Sequence, residues 1–213
     1  MKKLWRSLAY NYREGGLGQV IHKIVFPFRE WFRSETSWLV YRADPGNHRS
    51  EPSLPLIRCE PGFDFLYENG YFKARAFPET TRARLAAGER CHGFLLAGEL
   101  VNVAWTIRDH LVLEPGLSID EEGCVGIFDC YTVPTHRSKG IYVDTLIHLL
   151  ALAREEGAVR ALIAVDPGNH PSIKGIERAG FVPLFRLTRR RRLGRQSLER
   201  SDFGPQCSQP RPE

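Results

Sequence analysis

Apolar side chains recur along this chain in two rhythms, one of 3.6 residues and one of two, and the changes between them mark out its elements. Near the N-terminus Ile21, Ile24, Val25, Phe28, Trp31 and Phe32 fall on one helical stripe, with Pro27 as a kink or boundary. Gly15, Gly16 and Gly18 divide this stretch into two predicted helices, so residues 1–41 are expected to be a basic, amphipathic helical segment. The next stretch, RADPGNHRSEPSLP (42–55), has no apolar rhythm and predicts a linker.

From residue 56 short strands and helices alternate. LIRCE (56–60) predicts a strand, and 63–87 holds one or two helices. CHGFLLAG (91–98) and LVNVAWTI (100–107) predict an antiparallel pair joined around Gly98 and Glu99, which LVLEPG extends. CVGIFDCYTV (124–133), β-branched and aromatic, predicts a central strand. From Gly140 to about Glu156, Tyr142, Leu146, Leu149, Leu150 and Ala153 share one helix face, and Gly157 stands as a stop. RALIAV (160–165) predicts a buried strand, NHPSIKGIERAGF a short helix ending at Gly180, and FVPLFRLTRR a last strand or two. Together these predict an α/β domain over 56–190, with a mixed sheet flanked by helices. DPGNH occurs at Asp44–His48 and again at Asp166–His170; the flanks do not match, so it predicts two similar turns.

Composition changes this picture little. With 213 residues, 42% apolar and twelve Phe, the chain can bury a sizeable core. No apolar run approaches the roughly 18 residues of a membrane-spanning helix. MKKLWRSLAYNYREGG is basic but lacks the apolar region and small-residue cleavage site of a signal peptide. The five cysteines (Cys59, Cys91, Cys124, Cys130, Cys207) are odd in number and form no C-x-x-C, which points to reduced thiols in a cytoplasmic protein. The histidines are scattered, and no metal site is expected.

Charge changes it more. The net charge is +5, yet residues 1–33 carry seven Lys/Arg against two Glu, and residues 186–213 carry eight Arg against three acids. Each end is thus +5 and the middle, 34–185, is −5. The basicity belongs to the ends, which argues against nucleic-acid binding by the main domain. The ends are instead candidates for peripheral contact with an anionic membrane; for the N-terminal stripe, packing on the domain or on a second subunit is the alternative. Residues 191–213 are expected to be a basic, disordered tail.

The chemistry concentrates in VPTHRSKGIYVDTL, Val133 to Leu146. Pro134 ends the central strand, and a five-residue loop leads into the helix at about Gly140. A helix N-terminus presents unpaired N–H groups and a partial positive charge. Gly140 lets backbone approach a ligand, and Arg137 and Lys139 add full charges, which together suit a pyrophosphate. A basic surface turn capping the helix is the alternative. Neither a P-loop nor G-x-G-x-x-G is present.

The run Thr132-Val133-Pro134-Thr135-His136-Arg137-Ser138-Lys139-Gly140-Ile141-Tyr142, followed by Asn169, Ser172, Ile176, Glu177, Arg178, Gly180 and Phe181, resembles the two motifs of the GCN5-related N-acetyltransferase (GNAT) superfamily. The resemblance implies an acyl-CoA N-acyltransferase fold with a mixed, mostly antiparallel central sheet. It implies acetyl-CoA or another acyl-CoA as co-substrate, no metal, and transfer to a primary amine. The amides of Ser138, Lys139, Gly140, Ile141 and Tyr142 would hold the pyrophosphate, with Arg137 and Lys139 nearby. Cys130 to Val133, with Thr132 among them, would pair with the pantetheine arm, and Asn169 and Ser172 would lie beside its thioester end. This chain departs from the family at Tyr142, where Gly or Ala is common, and at Ile176, where many members carry a proton-donating Tyr. Tyr131 and Tyr142 are the nearby substitutes. Asp129 is the candidate general base, with a strand-edge acid as the plain alternative, and Glu99 is a weaker one. His136 and Cys130 are expected to be a solvated loop residue and an inert thiol. The motif variants also resemble a subgroup associated with cell-surface polysaccharide genes, which makes an amino sugar one acceptor and a protein amine its rival. A non-catalytic CoA-binding scaffold of the same fold is the other reading.

Overall fold

The computed structural model describes residues 33–47, 56–59, 78–114, 116–193 and 195–203. The elements are β1 (Arg33–Ala43), β2 (Leu56–Cys59), α1 (Pro78–Ala86), β3 (Arg90–Leu96), β4 (Glu99–Glu114), β5 (Leu117–Thr132), α2 (Ile141–Glu155), β6 (Arg160–Val165), α3 (His170–Arg178), β7 (Val182–Arg192) and β8 (Arg195–Asp202). They fall into two compact units. Of the described residues, the larger holds Trp38–Arg186 with Asp202 and Phe203, and the smaller holds Leu187–Ser201 with residues 33–37.

In the larger unit the strands lie in the order β2-β3-β4-β5-β6-β1-β7. The ladders β2–β3, β3–β4, β4–β5 and β1–β6 are antiparallel. β5 and β6 run parallel, because α2 carries the chain back across the sheet between them. The mixed, mostly antiparallel sheet read from the sequence is therefore present. Leu146, Leu149, Leu150 and Ala153 of α2 form its core with Ile127, Ile163, Ile176, Ala179 and Phe181. Burying side chains of this size stabilises by about 1.5–3 kcal/mol each.

Both DPGNH segments make the same turn. The Asp44 carboxylate accepts from Gly46 N at 2.9 Å, and the Asp166 carboxylate from Gly168 N at 2.7 Å. Asn47 N and Asn169 N then bond back to the Asp44 and Asp166 carbonyls.

Three sequence expectations need correction. Residues 33–41 do not continue the N-terminal helical segment but belong to β1, and Arg42 and Ala43, placed in the linker, end that strand. Leu39 to Ala43 pair with Val165 to Ala161, and it is this distant partner that makes the segment a strand. Residues 195–202, expected to be disordered, form β8 beside β7 in the smaller unit. Every side chain of β8 is exposed, so no apolar alternation marks it in the sequence. Ser37 and Thr188 share a hydrogen bond of 3.0 Å there, and Arg190 pairs with Glu35 and Glu199. The predicted N-terminal helices, most of the linker and any helix within 63–77 lie outside the described residues.

Candidate active site

The site is made where β5 and β6 part. Their parallel ladder runs from Cys124↔Arg160 to Ile127↔Ile163. Beyond it Ala164 and Val165 keep only the partners on their other edge, Val40 and Leu39 of β1. β5 meanwhile stays beside β4, with Tyr131 opposite Val103 and Thr132 opposite Asn102. Between these pairs and Phe128↔Trp105, Asp129 and Cys130 oppose Ala104 alone, a bulge that bends the strand. Asp129 has φ 48°, a left-handed conformation uncommon for a residue with a side chain.

Arg84 of α1 holds this bulge. Its Nη1 donates to Asp129 Oδ2 at 2.9 Å, and its Nε pairs with Glu89. The guanidinium lies 3.7 Å from the centre of the Trp105 ring and 5.1 Å from that of Phe128. Planar guanidinium on an aromatic face is a favourable arrangement that lysine cannot copy.

Val133 donates its N–H to Val101 O at 3.0 Å, and a single 3-10 turn, Pro134–His136, turns the chain toward α2. Ser138 (φ 61°) and Gly140 (φ 82°) both adopt left-handed backbone. Only Gly adopts this conformation without cost, and a Cβ at 140 would meet nothing within 4 Å, so the backbone and not crowding selects it. No side chain caps α2; its first helical bond is Asp144 N to Gly140 O, which leaves the amides before it to a ligand or water.

A buried polar cluster fixes the root of this loop. Asn102, 1% exposed, donates from Nδ2 to Thr132 Oγ1 at 2.7 Å. Thr145 Oγ1 lies 3.1 Å from Asn102 Oδ1 and 2.8 Å from Ile141 O. Asn102 thus ties the end of β5 to the first turn of α2. Asn102→Leu will leave Thr132 and Thr145 without their amide partner and cost about 1–3 kcal/mol, read as a lower Tm. An unchanged Tm would show that the cluster adds no net stability.

The opening between β5, the turn, α2 and α3 is a cavity of about 720 Å³. Of the sequence-predicted binding residues, Thr132, Arg137, Ser138, Gly140, Ile141, Tyr142, Asn169 and Ser172 line it. Val133 and Lys139 do not. The Val133 side chain packs with Phe94, Val101 and Ile141, and Lys139 is exposed. Arg137 lines the cavity but also donates from Nε to Thr132 O at 3.1 Å, bracing the loop. Asn169 caps α3, accepting from Ser172 N at 3.3 Å.

Sequence reasoning missed Lys174, Gly175 and Arg178, which share the cavity face of α3 with Pro171. Their spacing was the available signal, since Ile173, Ile176 and Ala179 take the opposite, core-facing positions. Ile176 is wholly buried, so the family position for a proton donor points here into the core. Tyr142 is on the wall instead, its ring over Gly175: a Cβ at 175 would lie 2.6 Å from Tyr142 Cδ1. Burial, with Cys130 beside it as a lesser cause, holds the Tyr142 phenol well above its usual pKa. Burial and then Asp129 push the Cys130 thiol up to about 12, which makes it a poor nucleophile. Asp129 itself is outside the lining, with its side chain 40% exposed and paired to Arg84. Among the described residues no group of His, Cys, Asp and Glu could hold a metal ion.

The fold has solved counterparts. A GNAT-family protein from Novosphingobium aromaticivorans superposes with a TM-score of 0.56 at 15% identity, over 80% of this chain and 66% of its own. An acetyltransferase of the family from Colwellia psychrerythraea gives 0.52 at 14% identity, over 81% and 61%. A GCN5-related N-acetyltransferase from Sphaerobacter thermophilus gives 0.54 at 13% identity, over 88% and 57%. The chain thus spans less than two thirds of the length of each. A search of curated protein sequences finds no significant match. Residues 62–181, more than half of the chain, match the sequence model of the acetyltransferase (GNAT) family. That match runs from before α1 through the parting strands, the uncapped helix and α3 to Phe181, and with the shared fold it establishes that the chain belongs to the GNAT family of acetyltransferases.

Proposed function

We propose that this protein transfers an acetyl or other acyl group from coenzyme A to the primary amine of a small molecule, with an amino sugar as the foremost acceptor. The observation that carries the reading is the cleft where β5 and β6 part, ending at the uncapped first turn of α2. Its volume is that of a small-ligand site. A pyrophosphate suits the turn: open amides, a Gly with no Cβ to obstruct approach, and Arg137, with Lys174 and Arg178 across the cleft. The edge of β5 from Cys130 to Thr132, left by β6, suits the amides of a pantetheine arm. The amino-sugar acceptor rests on the resemblance of the motifs. The free thiols of Cys91, Cys124 and Cys130 fit the cytoplasmic placement that we propose with it.

In this reading the neutral amine attacks the thioester carbonyl carbon, the C–S bond breaks, the nitrogen gives up a proton to solvent, and the departing thiolate takes one up. Tyr142 is the donor we assign, because its phenol lines the cleft and burial keeps it protonated. An alkyl amine is only about 0.04% neutral at pH 7, so a base or a water relay assists. Asp129 is the carboxylate beside the cleft, with Oδ2 engaged by Arg84. Holding amine and thioester together supplies much of the rate in any case.

Calorimetric titration with acetyl-CoA, with desulfo and adenosine controls, followed by a screen of amino sugars and lysine peptides, tests the reading. Micromolar, pyrophosphate-dependent binding and turnover are expected. Tyr142→Phe is expected to lower kcat at least about tenfold with little change in CoA affinity; an unchanged kcat removes the phenol from the reaction. The Asp129–Arg84 pair favours a second reading, a CoA-binding protein without catalysis, because Oδ2 of that carboxylate is already engaged by the Arg84 guanidinium and lies outside the cavity lining. Turnover of any amine above the uncatalysed rate excludes it.

A further inference from the structure

The tip of the hairpin formed by β7 and β8 has a composition that the acyltransferase site does not use. The sequence from Arg189 to Arg195 reads Arg-Arg-Arg-Arg-Leu-Gly-Arg. Arg189 is buried, and Arg190 is engaged by Glu35 and Glu199. Arg191, Arg192 and Arg195 have no ion-pair partner among the described residues, and the last two are exposed. Between Leu187 and Ser201 the only acid is Glu199, against six arginines.

Leu193 stands among these cations at φ 50°, with 55% of its surface exposed. Neither a core nor the backbone accounts for leucine there. A branched side chain is disfavoured at positive φ, and Asn or Gly would form the same turn more easily. Leu198 on β8 is 48% exposed, so two of the five exposed large apolar side chains among the described residues lie within Leu187–Ser201. Aliphatic side chains standing out from a cluster of unpaired arginines fit a surface that is anionic outside and apolar beneath. Single-stranded nucleic acid, the other polyanion, is gripped by stacking on aromatic rings. Residues 187–202 contain no aromatic residue.

We propose that the tip of this hairpin docks the protein peripherally on an anionic lipid bilayer. Leu193 enters the headgroup boundary, and Arg191, Arg192 and Arg195 meet the lipid phosphates. No helix among the described residues is long and apolar enough to cross a membrane, so the contact is one of surface attachment. The basic N-terminal residues add to the attraction through their charge. The proposal stands independently of the acyl-transfer reading.

The test is co-sedimentation of the full chain with vesicles of phosphatidylcholine alone and of phosphatidylcholine with phosphatidylglycerol. Binding is expected to the second only. It should fade as salt rises from about 0.1 M to about 1 M, where the screening length falls from about 10 Å to about 3 Å. The triple variant Arg191→Glu, Arg192→Glu, Arg195→Glu should lower the partition coefficient roughly 100-fold. Leu193→Asn is the more telling change, since Asn accepts positive φ. It should hold or raise the Tm while lowering partition about tenfold. A leucine with a purely structural role would give the opposite pattern, a lower Tm with full binding. Three outcomes overturn the proposal: no binding to anionic vesicles at low salt, full binding by the triple variant, or binding of polyuridylate with vesicles ignored.

Discussion

Gly175→Ala will destabilise this protein and weaken acetyl-CoA binding, although it replaces a glycine in the middle of a helix. By helix propensity alone the change should stabilise α3 by about 1 kcal/mol. Packing decides the other way. The new methyl would lie 2.6 Å from Cδ1 and 2.9 Å from Cε1 of the Tyr142 ring, far inside contact distance. That ring is enclosed with Cys130 at the cleft wall, so it can move only by swinging into the space assigned to the cofactor. Overpacking of this kind costs about 1–3 kcal/mol. In a Tyr142→Gly background the clash is gone, and the same Gly175→Ala change should raise stability. This change of sign between backgrounds, followed as Tm and as CoA affinity, gives a coupling of at least about 1 kcal/mol. Equal effects in both backgrounds would mean that the ring does not rest on Gly175 in solution.

Gly140→Glu will weaken acetyl-CoA binding at least tenfold, roughly 1.4 kcal/mol, in addition to a backbone cost to folding that any side chain there would share. The backbone at φ 82° penalises any side chain by about 1–2 kcal/mol. No protein atom lies near the added Cβ, so the fold itself does not clash. The carboxylate instead stands at the end of α2 where the cofactor phosphates are proposed to dock, and like charges repel there. Gly140→Asn, which tolerates the backbone and adds no charge, separates the two causes. It should keep most of the affinity that Gly140→Glu loses. Full affinity in Gly140→Glu would place the pyrophosphate elsewhere.

These two glycines differ in how far the sequence disclosed them. Gly140 sits in a local pattern: a strand ends at a proline, a short basic loop follows, and an amphipathic helix begins. Each part depends on neighbours within about ten residues, so spacing alone located the turn and its donors. Gly175 drew no attention in the sequence, and Tyr142 stood out as a departure from the family, a backbone donor and a candidate acid, but not as the neighbour of Gly175. Their contact joins residues 33 positions apart, through the packing of α3 on α2. Asp129 has a similar history. Its position on the central strand was legible, but its bulge and left-handed backbone depend on the register with β4, and its Arg84 partner lies 45 residues away.

The sequence by itself determined the α/β class, the order of elements from 90 to 185, the basic turn before α2 and much of the cleft's lining. It could do so because apolar periodicity and helix-end chemistry are local properties, written within one or two turns of chain. Only the tertiary structure decided that residues 33–43 and 195–202 are strands: the first is made so by a distant partner, β6, and the second lies beside β7 with every side chain exposed and no apolar alternation to announce it. It alone sent Ile176 into the core and brought Lys174, Gly175 and Arg178 to the cleft. Which face of a helix meets a cavity depends on how that helix packs, and packing is settled by side chains far apart in the chain.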